Sequence, residues 1–250
     1  NGMQIADIPC DLYFADLQWS WDGNQNNVFG EFPFSGDTVD LAYDVYIGRA
    51  SIDNAGQVNT FILKDTTYEK RPAPNYMVRL FLPCGTLWSS WPGDSTQNMI
   101  ARYPPVPPWV IRKMYRSQGT LNRTACTETL RTGVGFVHLS GHGDPNGVYE
   151  TSTGPVYSHS SDVYNLNNGP KYIIANTIAC DVGALDQGSV NSDCYGENFV
   201  NAPNGGAVAG IFNSRLGWGT IPGPGYSELQ DMKFYENFFR SDTLNFEAGK

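Results

Sequence analysis

Two short apolar runs, each stopping at a chemically reactive side chain, constrain this 250-residue chain more than any other feature. Residues 133–143 read GVGFVHLSGHG and place His142 between Gly141 and Gly143. Residues 172–180 read YIIANTIAC and stop at Cys180. Short runs of β-branched and aromatic residues are the pattern of strands buried on both faces of a parallel sheet. Two such strands would carry His142 and Cys180 to the same C-terminal edge, which is where open α/β sheets place their sites. A thiol beside an imidazole is the minimum equipment of a cysteine nucleophile with its general base.

The rest of the pattern alternates in the same way. Strands are predicted over 12–17, 43–47, 76–82 and 206–212. Helices are predicted from Asn54 to Tyr68, up to Leu130, over 193–201, and over 226–239 with Tyr226, Leu229, Met232, Tyr235 or Phe234, and Phe239 on one face. The stretch 83–108 reads as loop with one short helix, and 144–170 reads as a long loop. Alternating strands and helices imply a mainly parallel central sheet with helices on both faces. Length favours one domain over 1–250, with 1–83 as a smaller N-terminal part and 84–250 as the catalytic part.

Composition narrows the function classes. A net charge of −9 argues against nucleic acid as a partner. No apolar run approaches the ~20 residues of a membrane-spanning helix. Few charged residues, many Gly, Pro, Asn, Ser and Thr, and a first residue other than Met suggest a processed, secreted protein. The cysteines are Cys10, Cys84, Cys126, Cys180 and Cys194. Outside the cell this odd number suggests up to two disulfides, with Cys180 as the free thiol, whereas in a reducing compartment all five would stay free.

Each reactive residue also has a plain structural reading. Gly-His-Gly serves equally as a turn, and a Cys after an apolar run is often a small buried residue. Glycines on both sides of His142 allow close backbone approach, and an N–H just after the base is suited to an oxyanion. His138 lies inside the apolar run and reads as a core histidine, and His159 reads as solvated. Cys194 reads as structural. No Cys/His spacing fits zinc.

Taken together, HLSGHG (138–143) and IIANTIAC (173–180) resemble the signature of the caspase, legumain, clostripain and gingipain clan of cysteine peptidases. DLYFADLQWSWDG (11–23), YDVYIGRAS (43–51), DCYGENFV (193–200) and PNGGAVAGIFNSRLGWG (203–219) make the chain similar to the gingipain family over most of its length. The resemblance implies a caspase-like three-layer α/β sandwich, secreted or surface-bound on bacteria, that cleaves proteins or peptides. It implies Cys180 as nucleophile, His142 as base, and an oxyanion hole from the N–H groups of Gly143 and Cys180. It further implies Asp94 at the base of the S1 pocket with cleavage after a basic residue, Trp218 as an S1 wall, and Ser214 and Arg215 near the substrate backbone. An Arg215 so placed would instead favour an acidic residue, which leaves the P1 preference open.

No cofactor is required for this chemistry. A structural Ca2+ is implied by the family, and Asp22, Asn24 and Asn26 stand at alternate positions like the start of an oxygen-ligand loop. The same residues read equally as an Asx-rich turn, because the family's acidic loop is diluted here to SWDGNQNN. Relative to the family the chain looks clipped at both ends, which implies a cleaved companion segment of the same precursor that covers a sheet edge. Two rivals share these residues. One is a transpeptidase that resolves the acyl-enzyme with an amine, and the other is an idle binding or adhesion domain.

Overall fold

The computed structural model describes residues 8–31, 36–40, 42–105, 107–188 and 192–239. The chain divides into two compact units, residues 1–51 and 52–250. The division therefore lies earlier than the 83/84 boundary the sequence suggested, because residues 79–83 are built into the main sheet of the second unit.

In the first unit, a single helical turn, α1 (Leu12–Ala15), stands where a strand over 12–17 was expected. Residues 43–47 form no strand either. Turn chemistry wins over β propensity here. The Asp16 carboxylate accepts from the backbone N–H groups of Gln18 and Trp19 and from Trp21 Nε1, at 3.0, 3.1 and 2.9 Å. Asp44 and Val45 both donate to one carbonyl, that of Ala15, rather than to a ladder.

The second unit opens with α2 (Ala55–Lys70), whose first turn is capped by Asn54 accepting from Gln57 N at 3.1 Å. There follow β1 (Arg79–Cys84), α3 (Asp94–Ile100), β2 (Val110–Tyr115), a 3-10 turn (Arg116–Gln118), α4 (Arg123–Thr132) and β3 (Phe136–Leu139). Next come β4 (His142–Asp144), β5 (Gly147–Tyr149), β6 (Val156–His159) and α5 (Ser160–Tyr164). The chain continues as β7 (Ile173–Thr177), α6 (Tyr195–Asn201), β8 (Ala207–Phe212) and α7 (Tyr226–Phe239).

Strands β2-β1-β3-β7-β8 form a five-stranded sheet, parallel throughout. Successive side chains of its inner strands point to opposite faces. Phe81, Val137, Ile173 and Ala175 pack with Cys126 and Leu130 of α4, Val163 of α5 and Phe199 of α6. Leu80, Leu82, Phe136 and Ile174 pack with Ile100 of α3 and Met232 and Tyr235 of α7. Helix, sheet and helix make the three layers expected from the sequence.

Three expectations need correction. The 144–170 stretch is not a loop but a small antiparallel sheet, β4-β5-β6, followed by α5. Strand β2 lies in a stretch read as the start of the helix that runs to Leu130; it is an outer strand, and the exposed Val110, Arg112 and Lys113 blur its apolar pattern. Helix α7 buries a different stripe from the one expected: Glu228, Asp231, Met232 and Tyr235 are inside, while Tyr226 and Leu229 are exposed. Its buried acids have partners, which a hydrophobicity pattern does not register. Asp231 Oδ2 lies 2.6 Å from His138 Nε2, and His138 Nδ1 lies 2.9 Å from Gln97 Oε1. Gln97 Nε2 donates to the Pro83 and His138 carbonyls, so its Oε1 is the acceptor and His138 Nδ1 must donate. His138 is thus the satisfied core histidine the sequence suggested.

Candidate active site

Strands β3 and β7 are neighbours, with Leu139 paired to Thr177 at their last residues. Each chain then runs on by three residues (139 to 142, 177 to 180) to a reactive side chain. Neither residue ends its strand, as the sequence had implied. His142 instead opens β4 in the small sheet, opposite Tyr149. Both side chains nevertheless line one cleft at the C-terminal edge of the main sheet, with a cavity of about 130 Å³. Leu87, Trp88, Ile178, Trp218, Ser227 and Glu228 complete most of its wall.

The glycines beside the histidine are required by packing. A Cβ on Gly143 would stand 2.7 Å from Ala179 Cβ, 2.7 Å from the Cys180 carbonyl oxygen and 3.0 Å from Val182 Cγ1. A Cβ on Gly141 would stand 2.5 Å from the Tyr149 carbonyl oxygen. Contacts this close are what hold the histidine segment against the cysteine segment.

His142 Nε2 lies 2.8 Å from the carbonyl oxygen of Leu87. A carbonyl only accepts, so Nε2 carries the proton and Nδ1 of the neutral ring holds the lone pair. The Trp88 ring meets the imidazole edge-on at 6.3 Å. Cys180 Sγ accepts from Gly217 N at 3.3 Å. Burial pushes the Cys180 thiol up, and the neighbouring Asp181 charge adds to this, while the N–H groups of Gly217 and of Cys180 itself oppose it. Taken together these contributions favour the thiol over the thiolate. All five cysteines are free, so the expected pair of disulfides does not form. Cys84, Cys126 and Cys194 are buried in separate elements, on β1, on α4 and at the head of α6, where they pack as small apolar groups.

The other predicted site residues divide. Trp218 is on the cleft, largely exposed at its rim. It is held by a reciprocal pair of bonds with the start of α7: Trp218 N donates to Ser227 Oγ at 2.8 Å, and Ser227 N donates to the Trp218 carbonyl at 3.1 Å. Ser214 and Arg215 are off the cleft lining. The Arg215 guanidinium grips Asp186 through both terminal nitrogens, at 2.9 and 2.7 Å. Asp94, the first residue of α3, is also off the lining. Its Oδ2 accepts from Ser117 Oγ, and its buried Oδ1 has no hydrogen-bond partner. His159 is not simply solvated: it caps α5, accepting from Ser161 N at 3.1 Å.

In the first unit, Asp22, Asn24 and Asn26 form a turn whose oxygens receive backbone amides. Asn26 N donates to Asp22 Oδ1 and Asn24 Oδ1 at 2.9 and 3.0 Å, and Val28 N donates to Asn26 Oδ1 at 2.8 Å. Among the described residues no three His, Cys, Asp or Glu side chains cluster as metal ligands. These hydrogen bonds are those of an Asx-rich turn.

Leu87, Trp88, Ser227 and Glu228 were not anticipated. The available signal for the tryptophan was its place in SSW-flanked loop sequence directly after a core strand, at the site-bearing edge. For Glu228 the sequence carried none.

With this geometry, comparison with known proteins defines the class. The chain belongs to peptidase family C25, whose sequence model matches residues 3–250. It is 27% identical to Lys-gingipain of Porphyromonas gingivalis over 175 residues, which is 68% of this chain and 10% of that protein. It resembles the crystal structure of the Arg specific cysteine proteinase gingipain R, with a TM-score of 0.59 and 19% identity over 71% of this chain and 42% of the other. A complex of the Porphyromonas gingivalis RgpB pro- and mature domains matches with a TM-score of 0.60 and 17% identity, over 79% and 46%. At these identities the structures define the shared fold. The chain spans about a tenth of the length of the curated relatives it matches.

Proposed function

We propose that the protein is a secreted bacterial cysteine endopeptidase in which Cys180 and His142 form the catalytic dyad. The observation that carries this reading is that a free, half-buried thiol and a tautomerically fixed imidazole line the same cleft. As Cys180 Sγ attacks a peptide carbonyl, its proton passes to His142 Nδ1. The oxyanion is received by the N–H groups of Cys180 and Gly143. Collapse expels the amine, which takes the proton back from Nδ1. A water, deprotonated by the same nitrogen, then releases the acyl group and restores the thiol. The Leu87 carbonyl does the orienting that an acidic side chain does in other triads, since it fixes which nitrogen is basic.

Cleavage after a basic residue is part of the proposal. Glu228 lines the cleft, and it and Asp94 both lie close enough to Cys84 that, after burial, their charges push its thiol up. Arg215 is engaged by Asp186, which disfavours the alternative of an acidic P1 residue. A companion segment from the same precursor and a structural Ca2+ near Asp22 remain separate proposals that the reaction does not require.

The test is kinetic. Iodoacetamide should label Cys180 and abolish hydrolysis of a fluorogenic peptide. His142→Ala should slow both labelling and turnover, the latter by the 10²–10⁴-fold typical of a lost general base. Hydrolysis that persists in Cys180→Ala would end the reading.

A further inference from the structure

We infer that the backbone N–H of Gly217 is a third group of the catalytic apparatus, a fixed donor to the sulfur of Cys180, and that Asn213 is the residue that positions it. The inference rests on the peptidase reading above. Strand β8 ends at Phe212, and residues 213–217 then run back along the segment that carries the nucleophile. Gly183 N donates to the Asn213 carbonyl at 2.8 Å, and Asp181 N donates to the Arg215 carbonyl at 3.0 Å. The two ties fall two residues apart on each side, which is the spacing of an antiparallel ladder. A regular continuation would set Gly217 opposite Ala179. Gly217 N instead donates to Cys180 Sγ at 3.3 Å. An N–H that a ladder would give to backbone is thus turned onto the nucleophile.

The turn so held is an uncommon one. Asp181 has a φ of +57°, in the left-handed region that residues other than glycine keep only where their surroundings fix them. Asn213 sets the approach of Gly217. Its Nδ2 donates to the Ile178 carbonyl at 2.8 Å, and Gly217 rests on that same carbonyl. A Cβ on Gly217 would stand 2.4 Å from the Ile178 oxygen and 3.1 Å from Asn213 Nδ2. The paired bonds from Arg215 to Asp186, at 2.9 and 2.7 Å, brace the same two segments from the side.

The titratable groups around the sulfur are Asp181 beside it, His142 of β4 and Glu228 of α7 on the cleft lining, and Arg215, Asp144 and Asp186, whose charges reach Asp181. Burial and the Asp181 charge favour the thiol, and the Gly217 N–H is the donor from another segment that opposes them. When the proton leaves Sγ for His142 Nδ1, the charge appears against a donor already in place. A hydrogen bond to an ionised acceptor is roughly twice as strong as a neutral one. At pH values below the thiol's own, each unit by which it is lowered gives about tenfold more thiolate while intrinsic nucleophilicity drops about threefold, so the reaction gains about threefold.

The experiment uses the full chain. In the His142→Ala background, iodoacetamide alkylation of Cys180 is followed against pH, and the Gly217 amide proton is followed by NMR through the same titration. The amide should move downfield with the midpoint of the alkylation curve, and Cys180→Ser should abolish that movement. Asn213→Leu, which fills similar space without a donor, should raise the midpoint by about one pH unit, the scale of one hydrogen bond to a charged group. With His142 present, the same substitution should lower kcat/KM for a fluorogenic peptide at neutral pH by about threefold. A merely structural role gives the opposite sign, because a loosened segment exposes the sulfur, relieves its burial and lowers the midpoint. Asn213→Ala serves if the leucine variant melts early. A midpoint that stays or falls in these variants, or a Gly217 amide that does not respond when Cys180 ionises, would each overturn the inference. If either result comes from a chain whose Cys180 alkylates and hydrolyses peptide, this inference alone fails. If Cys180→Ala still hydrolyses, the peptidase assignment itself has failed.

Discussion

Replacing Gly143 with alanine is the most direct probe of how the dyad is held. The added methyl carbon would stand 2.7 Å from Ala179 Cβ and from the Cys180 carbonyl oxygen, and 3.0 Å from Val182 Cγ1. Carbon contacts settle at roughly 3.5–4.0 Å, so the two segments must part by about 0.8 Å or more. All three neighbours are backbone or short side chains, so none can swing aside. Overpacking of this kind costs about 1–3 kcal/mol. In a unit of this size that corresponds to a melting point lower by about 2–12 °C. The same movement carries Cys180 away from His142, and a displacement approaching 1 Å costs on the order of 10²-fold in turnover. The variant keeps the Gly143 N–H, so the loss would report geometry rather than a missing oxyanion donor. The assays are kcat and KM on a fluorogenic peptide, the rate of Cys180 alkylation, and a thermal melt. Gly48→Ala is the control, since an added Cβ there meets nothing within 4 Å. A Gly143→Ala enzyme with wild-type kcat and melting point would show that the close approach does not position the dyad.

Three further outcomes are expected. Because burial and Asp181 hold the Cys180 thiol above its ordinary value, the rate of alkylation in the His142→Ala background should still be rising at pH values where an exposed thiol has levelled off; a plateau at the exposed-thiol pH would refute this. Lys64 is buried and desolvation lowers its pKa from 10.5 to about 7, so between those values the unfolded chain holds a proton the folded one has released, and stability should climb with pH across that window and level off outside it. The gain is at most a few kcal/mol, because Nζ also donates to the Val200 and Ala207 carbonyls, which favours the charged form; urea midpoints that climb equally in Lys64→Met would remove the residue from the account. Chelation by EGTA should leave the melting point unchanged if the Asp22–Asn26 turn is satisfied by its own amides, and a drop of several degrees would assign it a Ca2+ instead.

Most of the layer architecture was legible because it rests on patterns the chain states locally. FVHL and IIANT are apolar on both faces, and they are the strands at the centre of the sheet. Asn54 announces a helix start and does cap it. Where the sequence misled, the deciding partner was distant along the chain. Glu228 and Asp231 look like the solvent side of a helix, and only Trp91, Thr96 and His138, brought in from other elements, make burial tolerable. The small β4-β5-β6 sheet has strands of three or four residues rich in Gly and Tyr, too short to show a period. The expected strand over 12–17 gave way because Asp16, inside the run, gathers the amides that follow it. His142 and Cys180 were visible because apolar runs end beside them. The third group at the histidine was not, since it is the backbone carbonyl of Leu87 and no residue type marks it.

The two reactive residues hang from β3 and β7, which have hydrogen-bonded strands on both sides, whereas β2 and β8 are the outer members among the described strands. Sheets exchange their amides from the outside inward, and inner ladders open only when the whole unit does. The proposed dyad is therefore mounted on the part of the molecule with the least access to partial unfolding. Fraying of an outer strand leaves the spacing of His142 and Cys180 untouched, and clipping that begins at an edge reaches their strands last.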